Sequence, residues 1–400
     1  MEQTSEVQGP GGINLIGEFA GGIPVKLSKE ELADLSRINP FLSWLHIAGE
    51  LSAIVAAIYL CERFWSPLLY LLAIAIIGAR QHALLILMHD GVHYRLFRNR
   101  RLNDCVSELL AWPHLVAARS YRKNHIAHHR YLNSDKDPDW KRRQGDPAWI
   151  FPKPADQLAR LLFRDVSGLN ALVLLRLAAS LLSADTVSAM FLVARYGFYA
   201  VCLSLIVYMG ALRGFALYWV IPLFTWLVMI MRMRSIAEHS ALGDGDAAYA
   251  QTRTTRAAWL ERIFLAPKNV NYHLEHHFFP SVPFYRLPKL HALLLTKPGF
   301  STGAHITGSY WGVLRESVGS ESRPRLLRAY GIELAYSRKR RRGAKGIQLG
   351  SLNGRYSDNV QSQKLDGPAD HLADDRPWRG AGGDGGSDPA GLRQWSAREP

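Results

Sequence analysis

The stretch FWSPLLYLLAIAIIGARQHALLILMHDGVH, residues 64–93, opens as an almost unbroken apolar run and closes on two histidines four residues apart. Crossing the hydrocarbon core of a bilayer takes about 20 mostly apolar residues, and this run is long enough. Residues three or four apart share one helical face, so His89 and His93 present their rings together. The stretch therefore reads as a helix from about residue 66 that leaves the membrane with two imidazoles exposed on its end.

Three further runs match it. Apolar residues dominate 41–61 (FLSWLHIAGELSAIVAAIYLC), 190–211 and 214–231, the last reading GFALYWVIPLFTWLVMIM. With 64–88 they make four candidate spans, which a mean hydropathy of -0.06 over the whole chain conceals. The first span is the least regular, because it carries His46 and Glu50. Buried helices of a soluble α-protein are the competing reading. The gathering of Trp, Tyr and Phe at the ends of the runs, as at membrane interfaces, argues against it. Short breaks at Glu62-Arg63 and Arg213-Gly214 pair the spans into two hairpins. The expectation is an all-α integral membrane protein, with four transmembrane helices in two hairpins and a helical cap on one side.

Two hairpins place the N-terminus, residues 80–190 and residues 232–400 on that side. These stretches hold Arg95, Arg98, Arg100, Arg101, Arg119, Arg122 and Lys123, an enrichment that marks the cytoplasmic face. The net charge of +14 then reflects topology and contact with anionic headgroups. No zinc-finger or RNA-recognition pattern points to nucleic acid. Segments near 105–118 and 157–184 are apolar but interrupted by Arg, Asp and Pro, as in interfacial helices. Residues 1–40 form a polar, Gly-rich segment without a cleavable signal, and 41–335 form the membrane domain. Residues 336–400 hold 11 of the 33 glycines and the basic run Arg338–Arg342, the composition of a disordered tail. Cys61, Cys105 and Cys202 lie far apart and imply neither disulfides nor a cysteine metal site.

Eight of the fifteen histidines fall into three clusters: His89 and His93; His125, His128 and His129; and His273, His276 and His277. One HxxxH pair is a weak signal, whereas two HxxHH clusters beside it are not an accident of composition. Helical spacing turns each cluster toward a single point. One metal takes about four to six ligands, so eight imidazoles imply two metals. His82 shares a helical face with His89 and reads as packing. His46, His114, His291, His305 and His371 have no cluster partner and are set aside.

Boxes of the form HxxxH, HxxHH and HxxHH around two apolar hairpins resemble the membrane fatty acid desaturase and hydroxylase superfamily. The flanks agree: HIAHHRYLNSDKDPD (residues 125–139) resembles the second box with its acidic trailer, and NVNYHLEHHFFP (residues 269–280) the third box of acyl-lipid and sphingolipid desaturases. The resemblance covers roughly residues 40–300. It implies a non-haem di-iron centre held by the eight box histidines, with His239 as a ninth ligand after the last span. It implies two iron ions, dioxygen as co-substrate, a lipid acyl substrate, and a separate electron donor (ferredoxin, rubredoxin or a b-type cytochrome), since no HPGG haem motif is present. Catalysis then needs no residue beyond the metal ligands. Asp90, Asp137, Glu238, Asn269 and Glu275 are the candidates for orienting the ligand rings, Asn269 by sharing the helical face of His273. Ser235 stands where stearoyl-CoA-type members carry asparagine, which argues against the acyl-CoA subtype. His273 in place of glutamine argues against the front-end subtype.

The expected function is oxygen-dependent desaturation of an acyl chain. A hydroxylase or monooxygenase on the same scaffold is the nearest alternative, because both begin with hydrogen abstraction. A membrane zinc hydrolase would need only about three ligands and a carboxylate base. A metal transporter or sensor would line its spans with polar residues, whereas residues 190–231 offer mainly Arg195 and Arg213.

Overall fold

A computed structural model describes residues 23–171, 175, 189–242, 249 and 251–319 of the chain. The segment before residue 23, the far part of the 157–184 stretch and the tail of 336–400 lie outside the described residues. In chain order the first helices are α1 (Lys29–Leu35), α2 (Pro40–Arg63), α3 (Pro67–Val92), α4 (Arg100–Ala111), α5 (Ala118–Tyr131), α6 (Pro138–Arg143) and α7 (Ala155–Val166). Two long helices follow, α8 (Ala189–Tyr208) and α9 (Leu212–His239). Then come α10 (Trp259–Phe264), α11 (His273–Phe278), α12 (Leu287–Leu294), α13 (Phe300–Gly303) and α14 (Tyr310–Glu316). Between them, the short strands β1 (Thr254–Thr255) and β2 (Ile306–Thr307) pair in parallel.

Four of these helices, α2, α3, α8 and α9, are long and apolar enough to cross a membrane, with mean hydropathies of 1.6, 1.9, 1.9 and 1.9. Their ends are set by caps. Asn39 and Ser66 accept from backbone amides of the first turns of α2 and α3, and each is followed by proline, which needs no hydrogen bond there. The first break therefore falls at Phe64–Ser66, just after the expected Glu62-Arg63. The second falls at Met209–Ala211, where Gly210 takes φ +65, ahead of the expected Arg213-Gly214. The fourth helix then continues to His239, eight residues past the expected end, through a π turn at Ala216–Val220 and a backbone break at Thr225.

The four helices differ in how they are enclosed. Only 11% of the apolar window of α8 is buried, against 67% of that of α3. Met190, Val193, Val201, Leu205 and Tyr208 on α8 stand exposed, an apolar surface suited to lipid. α3 is enclosed by α2, α4 and α9, and from Ile77 to Val92 nearly every residue is buried. Gly78 lets α9 come close: a Cβ there would lie 2.8 Å from that of Trp226.

In the middle of α2, Glu50 is buried and His46 is half-buried. Glu50 Oε1 lies 2.5 Å from Lys268 Nζ and Oε2 3.1 Å from Arg80, while His46 Nδ1 lies 3.0 Å from the same lysine. Charge inside a spanning helix is tolerated when it is paired away from lipid. Here the pairing also ties α2 and α3 to the loop that precedes the third histidine box.

Candidate metal centre

At 1.5 Å per residue, the 26 residues of α3 extend about 39 Å, beyond the roughly 30 Å hydrocarbon core. Its last turns carry His89, and His93 caps it. The carbonyls left open at this end are taken by side chains of neighbouring helices. Asn103 Nδ2 donates to Gly91 O at 2.7 Å, and Arg122 donates to Gly91 O and Val92 O. The approach at Gly91 is close: a Cβ there would fall 1.9 Å from Ser107 Oγ, so a larger residue would force that serine to move.

The second box lies on α5 and the third on α11. Nine histidines converge, but each HxxHH box is divided between two places. His89, His93, His125, His129 and His276 form one group, and His128, His239, His273 and His277 the other; within each group the ring nitrogens lie within 4.8 Å of one another. Helix geometry explains why a box does not aim at a single point. At about 100° per residue, positions i and i+4 lie about 40° apart, while i+3 falls about 60° to the other side. In α5 the i and i+4 rings, His125 and His129, join the group of five, and His128 joins the group of four. In α11 the assignment is reversed: His273 and His277 join the four and His276 the five. The adjacent His-His pair is thus a fork feeding two sites.

Contacts within the groups are short and uniform. His125 Nε2 lies 3.0 Å from His93 Nε2 and 2.9 Å from His129 Nε2, and His129 Nε2 lies 3.1 Å from His276 Nε2. In the group of four, His273 Nε2 lies 3.0 Å from both His239 Nε2 and His277 Nε2. The outer nitrogens fix several tautomers. His128 Nδ1 faces both oxygens of Asp137 at 3.0 Å, His239 Nδ1 faces Gln251 O at 3.3 Å, and His273 Nδ1 faces Glu238 Oε1 at 3.3 Å. With the proton of His239 on Nδ1, its Nε2 lone pair is turned toward His273 Nε2 at 3.0 Å, an arrangement that suits two rings serving one cation. In the group of five, His89 has both ring nitrogens buried without a hydrogen-bond partner among the described residues.

Burial, followed by neighbouring imidazoles, pushes His125, His129, His273, His276 and His277 well below the ordinary imidazole range. They are neutral near pH 7, the form that binds metal. Burial alone would push the Asp137 carboxyl up. His128 and the amides of Asn133 and Asp139 outweigh it and hold that carboxyl below its ordinary value.

The expected orienting residues divide. Asp137 and Glu238 face ligand rings, and Glu238 is itself held by Arg234, four residues earlier on α9. Asp90 Oδ1 is 3.9 Å from His89 Nδ1, beyond hydrogen-bond reach, while its Oδ2 accepts from Phe284 N at 2.8 Å. Glu275 is fully buried, but its oxygens go to Thr254 and His291. Asn269 does not share the helical face of His273. Lys268 and Asn269 take φ +57 and +58, the chain turns sharply, and α11 begins only at His273. Asn269 Nδ2 instead donates to Phe284 O at 3.1 Å. Three contributors were not anticipated: Arg234, His291 and the Gln251 carbonyl. Only the i,i+4 spacing of Arg234 and Glu238 was visible in the sequence.

Two cavities meet the histidines. One of about 10 Å³, the room of about one water, is lined by His89, His273, His276 and Arg234. The other, of about 510 Å³, borders His128 and His239.

The fatty acid desaturase family model matches residues 64–308. Dihydrorhizobitoxine desaturase of Bradyrhizobium elkanii is 28% identical over 333 residues, covering 78% of this chain and 93% of that protein. Human sphingolipid delta(4)-desaturase/C4-monooxygenase is 29% identical over 280 residues, covering 64% and 74%. Beta-carotene ketolase of a Paracoccus strain is 24% identical over 260 residues, covering 64% and 93%.

Proposed function

Because the chain belongs to the fatty acid desaturase family, we propose that it is an oxygen-dependent di-iron desaturase acting on an aliphatic chain, read most simply as the acyl chain of a lipid. The observation that carries this reading is the pair of histidine groups, five and four nitrogens strong. Five donors exceed a tetrahedral zinc site. The spacing agrees: at a metal–nitrogen distance of about 2.0–2.1 Å, tetrahedral ligand nitrogens sit about 3.3–3.4 Å apart, and right-angled ligands about 2.8–3.0 Å. The observed separations of 2.9–3.1 Å fit right-angled ligation, and an all-imidazole set suits iron. His89, His93, His125, His129 and His276 would hold one ion and His128, His239, His273 and His277 the other.

When bound, two irons supply the oxidant for an unactivated C–H bond by reducing dioxygen with electrons from an outside donor. The protein's part is to hold nine imidazoles in place and to bring the substrate beside them. Desaturation converts a CH₂–CH₂ unit, dioxygen, two electrons and two protons into CH=CH and two waters. Hydroxylation uses the same inputs but leaves a C–OH and one water, and the desaturase/C4-monooxygenase relative favours keeping it as the second reading. The four apolar helices support a site at the bilayer surface, and the Arg- and Lys-rich stretches support its cytoplasmic placement.

The test is expression with a ferredoxin or cytochrome reductase system, against a His128→Ala control, with mass spectrometry of the lipids. Loss of two hydrogens from a product absent in the control supports desaturation, and gain of one oxygen supports the second reading. Lipids identical to those of the control would refute the lipid-acyl reading.

A further inference from the structure

Exposed aromatic residues mark both ends of α2. Phe41 and Trp44 stand at one end and Phe64 and Trp65 at the other, as in the aromatic belts of membrane–water interfaces. From Trp44 to Phe64 the chain rises about 30 Å at 1.5 Å per residue, the thickness of the hydrocarbon core. Glu50 then lies about 9 Å inside the boundary that Trp44 marks. α3 gives the same level independently: Arg80 sits about 20 Å from Pro67 at the opposite boundary, hence about 10 Å inside the near one. Arg80 pairs with Glu50 through Nη1, and its Nη2 donates to the carbonyl of Ile263 on α10. This short helix of the cap is therefore tied to the boundary of the hydrocarbon core.

α10 meets that level with an apolar face. Trp259, Leu260 and Ile263 are exposed, Trp259 at 70%. At about 100° per residue they share an arc of about 100°, with Glu261 on the opposite side. Glu261 Oε1 accepts from Tyr310 N at 3.0 Å, which docks the start of α14 on α10; the next residue, Trp311, is 60% exposed. The Arg315 guanidinium lies over the Trp311 ring, 5.5 Å from its centroid. Arg262 and Arg315 are both exposed. Glu316, next to Arg315 in sequence, is taken by Arg253, His305 and Thr307. Indole and aliphatic side chains flanked by arginines suit the layer where acyl chains meet phosphates. In water the same face would leave a contiguous apolar patch uncovered.

We propose that α10 and the Trp311–Arg315 pair form a lipid-binding surface in the leaflet next to the histidine groups. Trp259, Leu260, Ile263 and Trp311 lie among the acyl chains, and Arg262 and Arg315 hold the phosphates of anionic lipids. The occupant is lipid and not a second copy of the chain, because the Arg80 bond makes this face continuous with a spanning helix at the depth of the leaflet. α10 leads into the turn at Pro267–Asn269, whose Lys268 pairs with Glu50. The surface thus sets the depth of the loop that precedes the third histidine box. The proposal rests on α2 and α3 crossing the membrane and needs no metal.

The experiment uses the full chain in nanodiscs of phosphatidylcholine and phosphatidylglycerol, with Cys105→Ser and Cys202→Ser leaving only the buried Cys61. A spin label is placed in turn through Ile263→Cys and Trp311→Cys, with Leu260→Cys as a second reporter on α10. Val201→Cys on α8 is the lipid-facing control and Lys141→Cys on α6 the aqueous one. Relaxation by oxygen and by a nickel chelate reads the depth of each label. Labels at 263 and 311 are expected about 5–10 Å below the phosphates, with 201 deeper and 141 in water. Labels at 263 and 311 as open to nickel as that at 141, while 201 reads as buried in lipid, overturn the proposal. So do labels closed to both reagents and broadened by spin–spin contact, since a second copy would then cover the face. A label at 201 that reads as aqueous would instead sink the spanning reading on which the proposal rests. The charged half is read from the lipids that stay bound on extraction, weighed by mass spectrometry. Arg262→Gln with Arg315→Gln should lose about fivefold or more of the enrichment in phosphatidylglycerol, the scale of one arginine at an anionic surface. An enrichment unchanged in that variant overturns the assignment of the arginines.

Discussion

Replacing Asp137 by asparagine should weaken one metal site and spare the other. The carboxylate is 1% exposed and makes four contacts: both oxygens to His128 Nδ1 at 3.0 Å, Oδ2 to Asn133 N at 3.0 Å and Oδ1 to Asp139 N at 2.8 Å. In asparagine one oxygen becomes an NH₂. If it faces Asn133 N, two donors oppose each other; if it faces Asp139 N, the same conflict arises at the first turn of α6. Either way His128 loses its anionic partner. Loss of a group that orients a metal-bound histidine costs about tenfold to a hundredfold in metal affinity, or about 1.4–2.8 kcal/mol. Folding stability should fall by about 1–3 kcal/mol through the unsatisfied buried donor.

The assay is iron release from the loaded protein under increasing chelator, read as a two-step curve. Only the step belonging to the group of four should move. Asp90→Asn is the contrast, because Asp90 sits beside His89 in sequence yet 3.9 Å from its ring nitrogen. Its release curve should shift by less than about threefold. Both steps moving together in Asp137→Asn, or neither moving, would refute the division of the histidines into two groups.

Gly91→Ala forces a Cβ against Ser107 Oγ and should lower thermal stability by about 1–3 kcal/mol, with partial recovery in the double variant that also carries Ser107→Ala. Glu50→Gln leaves Arg80 and Lys268 without their shared partner and should destabilise by about 3–5 kcal/mol; if thermal unfolding of this variant matches the parent, the network contributes nothing. Metal-free protein should lose stability on acidification. Its buried box histidines titrate well below their unfolded value of about 6.5. Below that pH the unfolded chain therefore binds more protons, and stability falls by up to about 1.4 kcal/mol per group per pH unit. Unfolding midpoints should be flat above about pH 6.5 and drop between about 6.5 and 5, and a midpoint that rises on acidification would contradict neutral burial.

The four apolar runs and the histidine boxes were legible because each depends on a local rule: run length for the spans and helical spacing for the boxes. What escaped depends on less local information. Ser66-Pro67 is a readable helix start, and it places the first break at Phe64–Ser66 once the cap is given weight over the charged pair before it. The second break was misread because a glycine marks a turn only where its φ demands it, and that glycine is Gly210, not Gly214. Asn269 looked helical by spacing, yet consecutive left-handed residues at 268 and 269 are invisible to periodicity. The division of each HxxHH box was latent in the 100° step per residue. It becomes definite only when α3 and α9 bring their own histidines to opposite sides.

The acidic residue inside the third box shows how a motif mixes two kinds of work. α11 has six residues, far fewer than an isolated helix needs to hold its shape in water. Glu275 sits in its middle with one oxygen on Thr254 of β1 and the other on His291 of α12. Just ahead of the helix, Asn271 Nδ2 donates to Thr255 O at 2.8 Å and Asn271 O accepts from Thr255 N at 2.9 Å. The helix is thus bolted to a strand on one side and a helix on the other, while His273, His276 and His277 point elsewhere. In HLEHH the histidines answer to the metal and the glutamate to the scaffold. It follows that Glu275→Gln should disturb both histidine groups together, since α11 feeds both, whereas Asp137→Asn should disturb one.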